Sequence, residues 1–258
     1  MGSAVTDAAR RALGPVGACL PVSFATSLSV ARQRDAVRRL EAAGYRAAWT
    51  NETVGGKDAL VQLALLLAAT ERMAFGTSIA NIWARPPQTM HGAAALLADG
   101  FPGRVVLGLG VGYPEQAASV GRDFGRPLAT MRDYLERMDG PTQPPAPDAG
   151  YPRVIGANGP KMLALAAELA DGAMPAMRPP EFTAQAREAL GPDKLLIVGM
   201  RVLEDGDDDP AAVADGVRAH LAAGADHVLF LPPIGIDFAA GVAGLESLGQ
   251  AAPWAASA

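Results

Sequence analysis

Arg104-Val-Val-Leu-Gly-Leu-Gly-Val-Gly112 is a short apolar run studded with glycine, and it reads as a strand. Alternation puts Gly108, Gly110 and Gly112 on one face and Leu107, Leu109 and Val111 on the other. A dinucleotide-binding fingerprint would need a further glycine at position 113 or 115, where Tyr113 and Glu115 stand, so that reading fails. Outward from this run, similar segments recur at Val16–Val22, Arg46–Asn51, Met73–Ala80, Arg153–Gly156, Gly172–Met177, Lys194–Val202 and His227–Leu231. Longer stretches of helical period lie between them, and Gly, Pro or Asp marks each change. Eight strands alternating with eight helices close most naturally into a (β/α)8 TIM barrel; a doubly wound open sheet is the runner-up.

Two helices show their sheet-facing stripe plainly. The first carries Val30, Val37, Leu40 and Ala43; the seventh carries Val213, Val217 and Leu221. Each ends on Ala-Ala-Gly, at Gly44 and at Gly224, where glycine suits the left-handed residue that closes a helix. The repeat is weak in a chain so rich in Ala and Gly. Gly140 to Gly150 (GPTQPPAPDAG) reads as an exposed connector inside a single domain spanning residues 1–258.

With 22 Lys and Arg against 27 Asp and Glu, the formal charge is -5 and the basic residues are scattered. This composition argues against nucleic acid and anionic membrane as partners. The first fourteen residues are polar and carry Arg10 and Arg11 without an apolar signal core, which reads as a cytoplasmic protein. Ala59–Ala69, interrupted by Gln62, falls short of the roughly 20 residues that span a bilayer. Cys19 is the sole cysteine and reads as core packing; no metal motif, nucleophile elbow or P-loop appears. Asp205-Gly-Asp-Asp-Asp209 lacks the glutamate of a cation loop and reads as a solvated turn. His91, His220 and His227 fall within helices or at a strand start and read as structural.

In such a barrel, ligands meet the loops after the strands. The three glycines of the fourth strand leave one face bare, either for a bulky ligand or to let the barrel pack. The second strand ends in Asn51, Glu52 and Thr53, where a carboxylate can orient a ligand or move a proton, or can be a loop acid. The third ends in Thr77, Ser78 and Asn81, followed by Trp83 and Arg85; Trp83 either walls a pocket or packs its loop. After the fifth strand, Asn158 stands near a helix N-cap with Gly159 and Pro160, which makes a phosphate site with Lys161 nearby or an ordinary capped junction.

Several phrases, in order along nearly the whole chain, resemble the bacterial luciferase-like superfamily, in its coenzyme F420-dependent oxidoreductase branch. They include Glu41-Ala-Ala-Gly-Tyr45, Asn51-Glu-Thr53, Gly76-Thr-Ser-Ile-Ala-Asn-Ile-Trp-Ala-Arg85, Pro102–Gly112, Gly159-Pro-Lys-Met-Leu163 and Ala219–Val228. The resemblance implies a deazaflavin over the strand mouths with its phosphate near Asn158 and Gly159. It also implies a non-prolyl cis peptide at Ser78–Ile79 pressing on the ring, with Asn51, Thr77, Asn81, Gly108 and Gly110 in the cofactor site. Thr53 stands where many relatives have histidine, and Tyr113, a substrate-pocket position, where a sugar-phosphate dehydrogenase relative has glutamate. The excursion that relatives insert after the seventh strand is short here, since Val202-Leu-Glu-Asp205 runs almost directly into the next helix. The implied activity is hydride transfer to or from a small organic substrate, with Glu52 and Thr53 as the catalytic pair and a homodimer as the family habit. The alternatives are an FMN-dependent monooxygenase on the same fold and a non-catalytic flavin-binding barrel.

Overall fold

The computed structural model describes residues 2–23, 28–204 and 208–251. Its strands are β1 (Val16–Cys19), β2 (Ala47–Thr50), β3 (Ala74–Thr77), β4 (Ala80–Asn81), β5 (Val105–Gly110), β6 (Arg153–Gly156), β7 (Gly172–Met174), β8 (Leu195–Arg201) and β9 (His227–Leu231). All pair in parallel in the order β3-β2-β1-β9-β8-β7-β6-β5-β4, and β3 also pairs with β5, so the sheet closes on itself. The open-sheet alternative is thereby excluded. β3 and β4 are one barrel strand broken at Ser78–Ile79, where the peptide is cis, as the resemblance implied. The result is a closed eight-stranded TIM barrel.

Around it run α1 (Gly2–Leu13), α2 (Val30–Ala42), α3 (Ala59–Leu67), α4 (Pro87–Gly100), α5 (Pro114–Ala118), α6 (Pro127–Met138), α7 (Pro160–Leu169), α8 (Pro180–Leu190), α9 (Pro210–Ala222) and α10 (Phe238–Ala251). Proline opens most of these helices, at the position where its missing N–H costs nothing. Ten helices among the described residues exceed the eight read from the pattern. The additions are α1, ahead of the first strand, and the single turn of α5. Within α1, Ala9 and Leu13 bury themselves against the barrel interior with Val106, Val154, Leu195 and Ile197. Arg10 ties the helix to Asp226 at 3.0 Å and to the carbonyls of Pro192 and Lys194.

Tertiary packing also corrects one stripe and widens another. Val37, Leu40 and Ala43 of the first stripe are buried, whereas Val30 is exposed and Gln33 takes the inward place. On α9, Val213 and Val217 are buried and Leu221 packs against the core half-buried, while His220, outside the stripe, also faces inward and pairs with Thr183 at 2.9 Å. Gly44 and Gly224 do adopt positive φ, +96° and +100°. Residues 140–150 form no helix or strand, although Ala146 and Ala149 rest against the core. Asp205 and Asp207 of the acidic run lie outside the described residues; Asp208 accepts from Leu203 N at 2.7 Å and Asp209 caps α9. Among the described residues no helix is long and apolar enough to cross a membrane.

Trp49 and His227 fill the barrel's middle, each wholly buried. His227 Nε2 accepts from Trp49 Nε1 at 3.1 Å, while Nδ1 lies 2.8 Å from the Gly14 carbonyl and donates to it. The ring is therefore the neutral Nδ1–H tautomer, and burial lowers its pKa to about 4.

Candidate active site

A cleft of about 650 Å3 opens over the C-terminal end of the barrel and draws residues from every strand end, from Cys19 and Asn51 round to Arg201 and Leu231. A second cavity of about 340 Å3 shares Ser78, Ile79, Tyr113, Gly156, Met177 and Leu231 with it and continues toward Asn158. The rim is open, with Tyr113 and Ile234 each 71% exposed.

Of the residues read from the sequence, Asn51, Glu52, Ser78, Ile79, Asn81, Gly110 and Tyr113 line the larger cleft. Thr53, Thr77, Gly108, Trp83 and Gly159 line neither cavity. Each has another engagement. Thr77 is fully buried and its hydroxyl both donates to Gly108 O at 2.6 Å and accepts from Gly108 N at 2.9 Å. Trp83 Nε1 donates to Val111 O at 2.7 Å and its ring leans on Phe124, so it packs the loop. Thr53 closes a turn, its carbonyl accepting from Gly56 and Lys57 N–H at 2.9 Å. Gly159, not Asn158, is the N-cap of α7; the Asn158 Oδ1 accepts from Ala176 N at 2.9 Å and pins the loop after β7.

The bare glycine face of β5 is occupied by the broken neighbouring strand. A Cβ on Gly108 would lie 2.0 Å from Thr77 O, and one on Gly110 would lie 2.5 Å from the Ile79 side chain. This packing brings Ile79 onto the cleft floor. Gly108→Ala meets backbone, which has nowhere to go, and should cost roughly 1–3 kcal/mol in a urea unfolding measurement. Gly110→Ala meets a side chain that can turn aside and should cost less while reshaping the floor. Equal losses for the two would contradict this division.

Glu52 is held from all sides, its side chain only 1% exposed. Oε1 accepts from Ala59 N at 3.1 Å and Arg85 Nη2 at 2.5 Å; Oε2 accepts from Asn81 N at 2.7 Å and Arg85 Nη1 at 3.3 Å. Arg85 reaches on to Asp58 at 2.6 Å. This cluster ties the loop after β2 to the broken strand and to the start of α3. Asn81 Nδ2 donates to Gln116 Oε1 at 3.0 Å, extending the polar wall across the cleft.

Cys19, read as plain core, is buried but also lines the cleft, with Sγ 3.6 Å from Ser78 Oγ; burial pushes its thiol pKa up. The sequence reading also passed over Gln116, Met177, Arg201, Glu204 and the Leu231-Pro-Pro-Ile234 segment. Their signal was position alone, since each ends or closely follows a strand. Arg201 and Glu204 pair at 2.8 Å at the mouth, both more than half exposed.

The model of the luciferase-like monooxygenase family matches residues 15–191, and the chain belongs to that family. A Mycobacterium tuberculosis protein assigned by name to the coenzyme F420-dependent oxidoreductases is 30% identical over 228 residues, covering 72% of this chain. The chain spans 65% of that relative's length. The solved F420-dependent tetrahydromethanopterin reductase of Methanopyrus kandleri superposes with a TM-score of 0.72 at 17% identity, covering 93% of this chain and 99% of that one. An F420-dependent secondary alcohol dehydrogenase holding an F420–acetone adduct superposes at 0.70 and 15% identity, covering 92% and 99%. At these identities the structural likeness concerns the fold.

Proposed function

We propose that this chain is a coenzyme F420-dependent oxidoreductase that passes hydride between the deazaflavin ring and a small organic substrate. The observation that carries the reading is the cleft itself: a slot fed by every strand end, floored by Ser78 and Ile79, with a polar wall of Asn51, Asn81 and Gln116. Its two connected cavities are of the size that cofactor sites take, and Gly156, which lines both, adds no side chain to the space a flat ring would need. The polar wall of Asn51 and Asn81 suits the ring's polar edge. The start of α7 at Gly159, next to Asn158 in the second cavity, offers N–H groups and the positive end of a ten-residue helix to a phosphate.

When bound, the deazaflavin supplies the hydride acceptor or donor. The chain's own residues supply position: Ile79 backs the ring from below, while the rim around Tyr113 and Met177 shields a substrate on the opposite face from water. Glu52, its oxygens already engaged by four donors, frames the site and leaves proton handling to others. A homodimer is compatible with this reading and is not needed by it.

Titration with oxidised F420 and, separately, with FMN tests the proposal, followed by fluorescence and melting temperature. F420 at a hundred times its Kd should raise the melting temperature by roughly 5–10 °C, with FMN doing much less. A preference for FMN would move the reading to a flavin monooxygenase, and binding of neither would end the cofactor claim.

A further inference from the structure

Lys57 is absent from the cleft lining yet reaches the site from behind. The tight turn after β2, bridged between Thr53 and Lys57, sends this half-buried side chain back toward the strand end. There Nζ donates to Asn51 Oδ1 at 3.0 Å and to Thr50 Oγ1 at 3.4 Å. Burial lowers the Lys57 pKa, and the fields of Cys19 and Glu52 work in the opposite direction.

An ammonium can only donate. It therefore decides which way the Asn51 carboxamide faces, an assignment that is otherwise ambiguous for an amide: oxygen toward Lys57, NH2 away from it. Among the described residues Asn51 Nδ2 has no acceptor, and no buried side-chain nitrogen or oxygen lacks a partner. The amide N–H groups are thus open to the cleft, which Asn51 lines together with Glu52 and Ser78.

We propose that Lys57 is a positioning residue that locks Asn51 as a hydrogen-bond donor, and that this donor selects a ligand presenting a carbonyl-type oxygen there. The inference rests on the hydride-transfer reading. That oxygen belongs either to the polar edge of the deazaflavin or to a ketone or aldehyde substrate, and the test separates the two. Asn51→Asp keeps the size and the Lys57 partner but replaces the donor with an acceptor. Lys57→Met keeps the length, frees the carboxamide and removes a desolvated charge, so its melting temperature should stay near that of the wild type.

The probes are oxidised F420, read by fluorescence, and reduced F420 with a panel of ketones and aldehydes that includes acetone. An oxygen on the ring predicts that both variants raise the F420 Kd about tenfold, the loss of about one good hydrogen bond. An oxygen on the substrate predicts an unchanged F420 Kd and a KM for the carbonyl compound about tenfold higher. In either case Lys57→Arg should recover most of the loss, and Lys57→Met should add little in an Asn51→Ala background. The proposal is overturned if Kd is unchanged and no carbonyl KM moves, with or without turnover, or if Lys57→Met acts undiminished once Asn51 is alanine. Wild-type protein that binds neither F420 nor FMN fails the hydride-transfer reading itself and takes this inference with it.

Discussion

Arg85→Met should destabilise the barrel by about 3–5 kcal/mol, because it strands the Glu52 carboxylate in a site almost closed to water. Two backbone donors would remain, Ala59 N and Asn81 N, but the only positive charge within hydrogen-bond reach among the described residues would be gone. For a chain of this size that loss lowers the melting temperature by on the order of 10 °C. The paired substitution Glu52→Gln with Arg85→Met removes both charges, and it should recover much of the loss. A double variant no better than Arg85→Met alone would show that the guanidinium acts through its packing and its Asp58 contact, not through the buried charge.

The second large effect is on pH. His227 has an ordinary pKa of 6.5, lowered to about 4 in the fold by burial, with the Gly14 carbonyl and Asp226 opposing the shift only in part. Between these values the unfolded chain binds a proton that the folded one refuses, so the His227 contribution is intact above about pH 6.5. It is lost as the pH falls toward about 4 and then levels off. A displacement of about 2.5 pH units at about 1.4 kcal/mol each makes that contribution about 3 kcal/mol. His227→Gln, which can still bond Trp49 and Gly14, should therefore gain on the wild type by about this amount between pH 7 and pH 4 in urea unfolding. A difference between the two proteins that does not change with pH would mean that the histidine is not held neutral.

The comparison of sequence with structure divides by the range of the forces involved. Each barrel strand was legible, because a buried parallel strand must be apolar along its length and its helix must carry a stripe. α1 was not: a polar, Ala-rich segment reads as a free start until the barrel floor gives Ala9 and Leu13 something to cover. The residues at the strand ends were legible as candidates because the topology sends ligands there. Which of them face the cleft was not.

By itself, then, the sequence pointed to the order of the eight barrel strands and to a parallel barrel with an open sheet as its rival, and its resemblance to a family implied the cis peptide at Ser78–Ile79. The strand order follows from periodicities, and the family and its cis peptide from the phrases that carry the resemblance, neither of which needs knowledge of neighbours in space. Only the tertiary structure decided that Thr77 and Gly108 spend themselves on each other and that Trp83 serves its loop. It likewise decided that Glu52 is bound into an ion pair with Arg85 and that Lys57 turns Asn51 toward the cleft. A side chain's role at a site depends on which partners reach it first, and in a closed barrel those partners come from strands and loops distant in sequence.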